Sequence, residues 1–411
     1  MRSIILMMLL IPSALIAQDY KDSISVRLSG FVRGDYWYET RQNVGACEEL
    51  FTLYPKPEKI DANGEDIHAE SVSNMAAIAT RLRTTINGPE IWGAQSTGYV
   101  EADFTSNLGT DGFRFRHAFV KLDWENASIL LGRFWHPMFV TDAFPTVLAL
   151  NTGAPFQVFN RSPQLKYTQR FGNFRVVSAI TYQGDYASMG PSIEGASADY
   201  FKNASFPEGN LRLEYLLNGN IFGIGSSFKV IQPRLETTGT DNEIYQSDEL
   251  VSGSLIMTYL RIHSGKFTYK YRAMLGQNVY EHLLFGGYAV SDFEPATGKE
   301  EYTPYKHFYT WGNITYGKKL RVGLFGGFAK NMGTMKDILW TAPEPAFARG
   351  TDIDYGYRIA PHIQYRMKNL NVGMEMEYTT VAYGTPENNG KVSGAEEISN
   401  LRVLLNAIYL F

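Results

Sequence analysis

The sequence predicts an all-β protein, a closed antiparallel transmembrane β-barrel of sixteen strands. Three observations carry this. Only 19% of the 411 residues are charged, against about 25% in an ordinary soluble domain, while aromatics reach 14% beside 38 glycines. Apolar residues recur with a period of two in segments of about ten residues, as in strands with one face in lipid and the other in water. Short turns and long polar loops alternate along the chain, which sorts loop length onto the two rims of a barrel. A soluble sandwich has no reason to do so.

Other classes fall away. The mean hydropathy of -0.21 is too polar for a helical membrane protein, and no stretch beyond residue 17 approaches the ~18 apolar residues of a spanning helix. A single cysteine, Cys47, excludes a disulfide framework and a thiolate zinc site. The net charge of -4 gives no reason to expect nucleic acid. No 20–50-residue repeat suggests a propeller or solenoid. Residues 1–17 read as a signal peptide: Arg2, an apolar run from Ile4 to Ile11, and a cut near Ala17. Residues 18–411 then form one exported barrel domain, and Cys47 lies too far on to anchor a lipid.

The expected strands run over 25–40, 75–86, 92–105, 112–123, 127–134, 164–171, 174–183 and 210–217. The second half contributes 221–232, 249–262, 266–279, 305–316, 320–330, 352–367, 370–383 and 398–411. In the last, Leu401, Val403, Leu405, Ala407, Tyr409 and Phe411 share a face opposite Asn400, Arg402 and Asn406. In the second, Ile78, Thr80, Leu82, Thr84 and Ile86 oppose Arg81, Arg83 and Thr85. Tight turns are expected at 87–90, 172–173, 218–220, 263–265, 317–319 and Asn369. Long loops are expected at 42–74, 135–163, 184–209, 280–304 and 331–351. Proline cannot donate to a ladder, and of the 17 prolines only Pro361 falls within an expected strand, where a bulge would accommodate it.

The terminal run from Leu401 to Phe411 resembles the C-terminal signal that outer-membrane barrels present to their assembly machinery. The stretch Phe113-Arg-Phe-Arg-His-Ala-Phe-Val120, followed by Ile129-Leu-Leu-Gly-Arg-Phe-Trp135, resembles trimeric Gram-negative porins, most closely the DcaP-like group, over roughly residues 27–163 and the C-terminus. The resemblance implies a sixteen-stranded barrel in the outer membrane, a third long loop folded inward to set the narrowest width, and a homotrimer.

Charge on the lipid face of a barrel costs about 2–4 kcal/mol at the midplane, so charged residues within strands should line the lumen. Arg27, Arg33, Arg81, Arg83, Arg114 and Arg116 are the first set, followed by Arg133, Lys166, Arg170 and Arg212. Two readings stand. The cations form a wall that concentrates anions, or they pair with Glu101, Asp103 and Asp35 on neighbouring strands. The third outer loop, 135–163, holds Asp142 as its only carboxylate, with Phe139, Phe144, Phe156 and Phe159. It either packs on the inner wall, where aromatic rings could stack on sugars, or lies outside the barrel.

The acidic loop residues Glu48, Glu49, Glu58, Asp61, Glu65, Asp66 and Glu70, with Asp241, Glu243, Asp248 and Glu249, are expected in bulk water. Divalent bridging to lipopolysaccharide is the alternative. Tyr36, Trp37, Trp92, Trp124 and Trp311 suit interfacial girdles. No phosphate loop, His-Glu-x-x-His or Gly-x-Ser-x-Gly occurs, and His68, His117, His136 and His307 give no metal spacing. No enzyme, cofactor or resident metal is expected. The expected function is passive diffusion of small hydrophilic solutes, preferentially anions. The alternatives are a saccharide-selective pore or a structural or adhesive barrel.

Overall fold

The structure, a computed structural model, describes residues 24–46, 49–105, 112–193 and 195–411. The expected signal peptide, Cys47 and Glu48 lie outside the described residues. Sixteen barrel strands close into one antiparallel sheet. They are β1 (Ser25–Glu39), β2 (Val72–Ala76 continued by Arg81–Ile91), β3 (Ala94–Asp103), β4 (Arg114–Asp123), β5 (Ala127–Trp135), β6 (Arg161–Phe171), β7 (Phe174–Thr181) and β8 (Glu208–Leu217). The rest are β9 (Asn220–Ile231), β10 (Val251–Ser264), β11 (Phe267–Gln277), β12 (Lys299–Tyr316), β13 (Leu320–Thr334), β14 (Ile353–Arg366), β15 (Leu370–Pro386) and β16 (Val392–Leu410). Each pairs with its neighbour in sequence, and β1 closes on β16 from Phe31↔Leu410 to Glu39↔Arg402. Among the described residues closure leaves the barrel sheet without an edge, as a spanning sheet requires. No helix among the described residues is long and apolar enough to cross a membrane.

Period two explains which residues face where. On β9, Phe222, Ile224 and Phe228 are exposed outward while Ser227 and Lys229 are buried inside. On β16, Leu405, Tyr409 and Phe411 point out and Asn400, Arg402 and Asn406 point in. The final residue seals the seam: Gly30 N donates to Phe411 O at 3.0 Å, and Phe411 N to Gly30 O at 3.2 Å.

Several local expectations are corrected. The first turn falls at Trp92-Gly93 instead of 87–90. Both residues have positive φ, 52° and 75°, the backbone a two-residue hairpin wants, while Gly88-Pro89 costs the ladder a register shift. The second strand breaks over 77–80, where Thr80 Oγ1 accepts the Arg33 amide at 3.1 Å. Proline is less confined than expected, because β6 includes Pro163 and β12 includes Pro304. Pro361 causes no bulge: the β14–β15 register is the same at Ile359↔Tyr378 and His362↔Glu375. Trp37 and Trp311 are buried inside the barrel rather than set in a girdle. Parity places both on the inner face, whereas Tyr36 and Trp92 are exposed.

The barrel has an interior core. Trp37, Met257, Tyr259, Tyr309, Trp311 and Phe325 on the wall pack with loop residues that fold in from the long-loop rim. A second apolar cluster, including Tyr200, Phe201, Tyr288, Tyr302 and Phe347, gathers at that rim. There a strand at Gly286–Glu294 pairs with β12 and with Ala346–Arg349.

Candidate functional site: the lumen and its loops

The wall of β2, β3 and β4 brings six of the expected residues together. Arg83 Nε meets Glu101 Oε2 at 2.6 Å, and Arg116 bridges Glu101 Oε1 at 2.7 Å and Asp103 Oδ2 at 2.6 Å. Arg114 Nε meets Asp103 Oδ1 at 2.9 Å, while Arg81 stands 3.9 Å from Glu101. Register builds this lattice, with Arg81 opposite Asp103 and Arg83 opposite Glu101. An extra residue on β4 then shifts the pairing between Glu101 and Ala102. That bulge turns both Arg116 and His117 inward, where both are buried. The lattice therefore combines the two readings: two carboxylates compensate part of the charge of four guanidinium groups. The side chains of Arg83 and Arg114 remain 31% and 24% exposed, against 4% and 1% for Glu101 and Asp103.

The other expected cations scatter. Arg33 is buried against Asp35 at 2.7 Å. Arg133 and Arg161 converge on Asp185. Arg27 is exposed near the short-turn end of β1. Lys166, Arg170 and Arg212 gather at a second place, a cavity of about 450 Å³ at the short-turn rim, joined there by Lys121 and Arg175. Asp123, Glu125 and Asp142 are the acidic groups lining it. Lys121 and Arg175 were readable from alternation, since each neighbours an outward apolar residue, Val120 and Phe174.

The third loop, between β5 and β6, enters the lumen and lies against the far wall. Leu148 N and Ala149 N donate to the two carboxylate oxygens of Glu375 on β15 at 2.6 and 3.0 Å. Asn151 Nδ2 donates to Glu377 at 2.9 Å, and Arg358 Nη1 to Ala154 O at 2.9 Å. Gln157 Oε1 accepts from both Arg272 and Trp311 at 2.9 Å. Glycines on the wall make room for it: a Cβ on Gly327 would stand 2.8 Å from the Phe156 ring, and one on Gly373 would stand 2.6 Å from Leu148.

Asp142 anchors the near end through Arg175 at 2.7 Å. Burial raises its pKa, but the hydrogen bond and charge of Arg175 outweigh this and hold the carboxyl below the usual range. Phe139 is only 1% exposed and stacks on Trp135 at 3.9 Å. Its face is covered, which removes it as a sugar platform; Phe144 is half-buried beside it.

The first long loop carries acids expected in bulk water, but part of the loop lies elsewhere. Its hairpin, Asn43–Ala46 with Phe51–Pro55, descends into the barrel mouth, and the second arm is entirely buried. Arg358 Nη2 holds Thr52 O and Leu53 O at 3.0 and 2.9 Å, and Phe51 packs edge-on against Phe159 at 4.9 Å. Glu49, Glu58, Glu65 and Glu70 are exposed, with Asp61 and Asp66 folded into loop hydrogen bonds.

No protein-family model and no curated protein matches the chain. Solved structures do. The outer membrane channel DcaP of Acinetobacter baumannii shares 18% identity at a TM-score of 0.67, over 95% of this chain and 98% of that one. OmpT of Vibrio cholerae shares 11% at 0.56, over 95% and 98%. An anion-selective porin from Comamonas acidovorans shares 12% at 0.54, over 94% and 100%. The fold expected from the resemblance is thus the fold found: this chain has the sixteen-stranded closed antiparallel barrel fold of these solved channels and porins, with an inward third loop.

Proposed function

We propose that the protein is an outer-membrane porin through which small hydrophilic solutes diffuse passively, with a preference for anions. The carrying observation is the cavity below loop three, where Lys121, Lys166, Arg170, Arg175 and Arg212 outnumber Asp123, Glu125, Asp142 and the buried Glu214 that Arg175 and Arg212 share. A low-dielectric wall focuses that excess onto a passing ion. The acidic outer loops act across bulk water and are screened within about 10 Å at 0.1 M salt. The barrel is exported by residues 1–17, delivered to the assembly machinery by β16, and embedded in lipid and lipopolysaccharide as a homotrimer. The reversal potential of a planar bilayer under a salt gradient tests the selectivity.

A barrel without transport is the second reading, favoured by the inward packing of loops one and three on each other. It predicts no stepwise conductance in the same bilayer.

A further inference from the structure

Three residues far apart in sequence meet where loop three leaves the wall. His136 opens the loop, Glu208 starts β8, and His282 sits in the short helical turn at Tyr280–His282 after β11. One donor atom from each lies within 4.8 Å of the others, and all three residues are buried. His136 Nε2 is 3.2 Å from Glu208 Oε2, and the two imidazole rings are 4.6 Å apart.

We infer that His136, Glu208 and His282 form a binding site for one divalent transition-metal ion, with zinc the best match, which staples the root of loop three to the barrel wall and to the loop after β11. Two imidazoles and one carboxylate are a common zinc donor set, at bond lengths of about 2.0–2.2 Å. Tetrahedral donors at that radius stand about 3.3 Å apart. The His136–Glu208 pair already has this separation, and His282 must approach by about 1.5 Å at most.

A second observation points to a ligand independently of the clustering. His282 Nδ1 is buried without a hydrogen-bond partner, whereas its Nε2 faces Glu281 Oε1 at 3.5 Å. A proton on Nε2 directed at Glu281 leaves the Nδ1 lone pair bare, and a carboxylate behind a ligating histidine is the usual second layer of a metal site. Glu281 is compensated by Lys229 at 2.5 Å, which leaves Glu208 as the negative charge for the ion. Thr181 Oγ1, 3.4 Å from His136 Nε2 and 3.1 Å from Glu208 Oε2, or a water occupies the fourth position.

Binding has one cost. Met138 N donates to His136 Nδ1 at 3.2 Å, which keeps the His136 proton on Nε2. Metal on Nε2 moves that proton to Nδ1 and breaks a long hydrogen bond.

The test uses the full chain, folded in detergent and checked by heat-modifiable migration, so it does not depend on whether the barrel conducts. Equilibrium dialysis against Zn²⁺ should give one tightly held ion per chain. His136→Gln and His282→Gln should each weaken binding at least tenfold, and His263→Gln, at the exposed end of β10, should leave it unchanged. Co²⁺ added to the unmodified protein should show the visible absorption of a four-coordinate site with nitrogen ligands, a readout that needs no variant. Absence of a stoichiometric ion in the unmodified protein overturns the inference. So does tight binding that persists in a folded His136→Gln/His282→Gln double variant.

Discussion

The amide of Leu148 donates to Glu375 Oε2 at 2.6 Å, across 227 residues of sequence. This one contact joins the middle of loop three to the wall opposite its root. Glu375 also takes the Ala149 amide, so a single carboxylate closes two buried backbone donors. Glu375→Ala leaves both unmet, at about 1–3 kcal/mol each. The expected outcome is a folded barrel with increased open-channel noise in single-channel recordings. Unchanged noise would show that the rest of the loop's anchors suffice.

The glycine seats give a steric counterpart. Gly327→Val places methyl groups where the Phe156 ring lies, and overpacking of this kind costs about 1–3 kcal/mol. Loop three should shift toward the β2–β4 wall and narrow the passage. Single-channel conductance should fall while the sign of selectivity stays the same.

The guanidinium lattice separates stability from selectivity. Arg116 is buried and compensates both Glu101 and Asp103. Arg116→Gln takes the buried partner from two carboxylates that keep only the more exposed Arg83 and Arg114 and should cost about 1–3 kcal/mol, read as a lower denaturant midpoint in lipid vesicles. Arg83→Gln, partly exposed to the lumen, should cost under about 1 kcal/mol.

Much of this was readable in the sequence. Alternation locates the strands and puts Arg81, Arg83, Glu101, Asp103, Arg114 and Arg116 on the inner face, because lipid tolerates few charges. It could not show the Arg116–His117 bulge, since an inserted residue leaves no trace in a period-two pattern where both neighbours are polar. It could not pull Phe51–Pro55 into the barrel, since the surrounding acids dominate that loop. It also misplaced Trp37 and Trp311, because an aromatic in a strand suits a girdle and a filled lumen alike. His136, Glu208 and His282 have no spacing to read, since three separate elements deliver them.

Asp142 links loop position to pH. Its pKa is held below the usual aspartate range, so its contribution is complete above the unfolded value of about 3.9 and is lost as pH falls through the lower folded value. Gating noise should therefore be flat from pH 7 to about 5 and rise below about pH 4. Asp142→Asn should show the raised noise at every pH, with that acid-dependent step gone.

Selectivity is the central claim. Under a KCl gradient across a planar bilayer, the unmodified channel should show a reversal potential of anion-favouring sign at low salt. Lys166→Gln/Arg170→Gln, in the cavity beneath loop three, should shift it toward cations without loss of assembly. A cation-favouring potential in the unmodified channel would contradict the account, because the lumen's carboxylates would then outweigh its lysines and arginines.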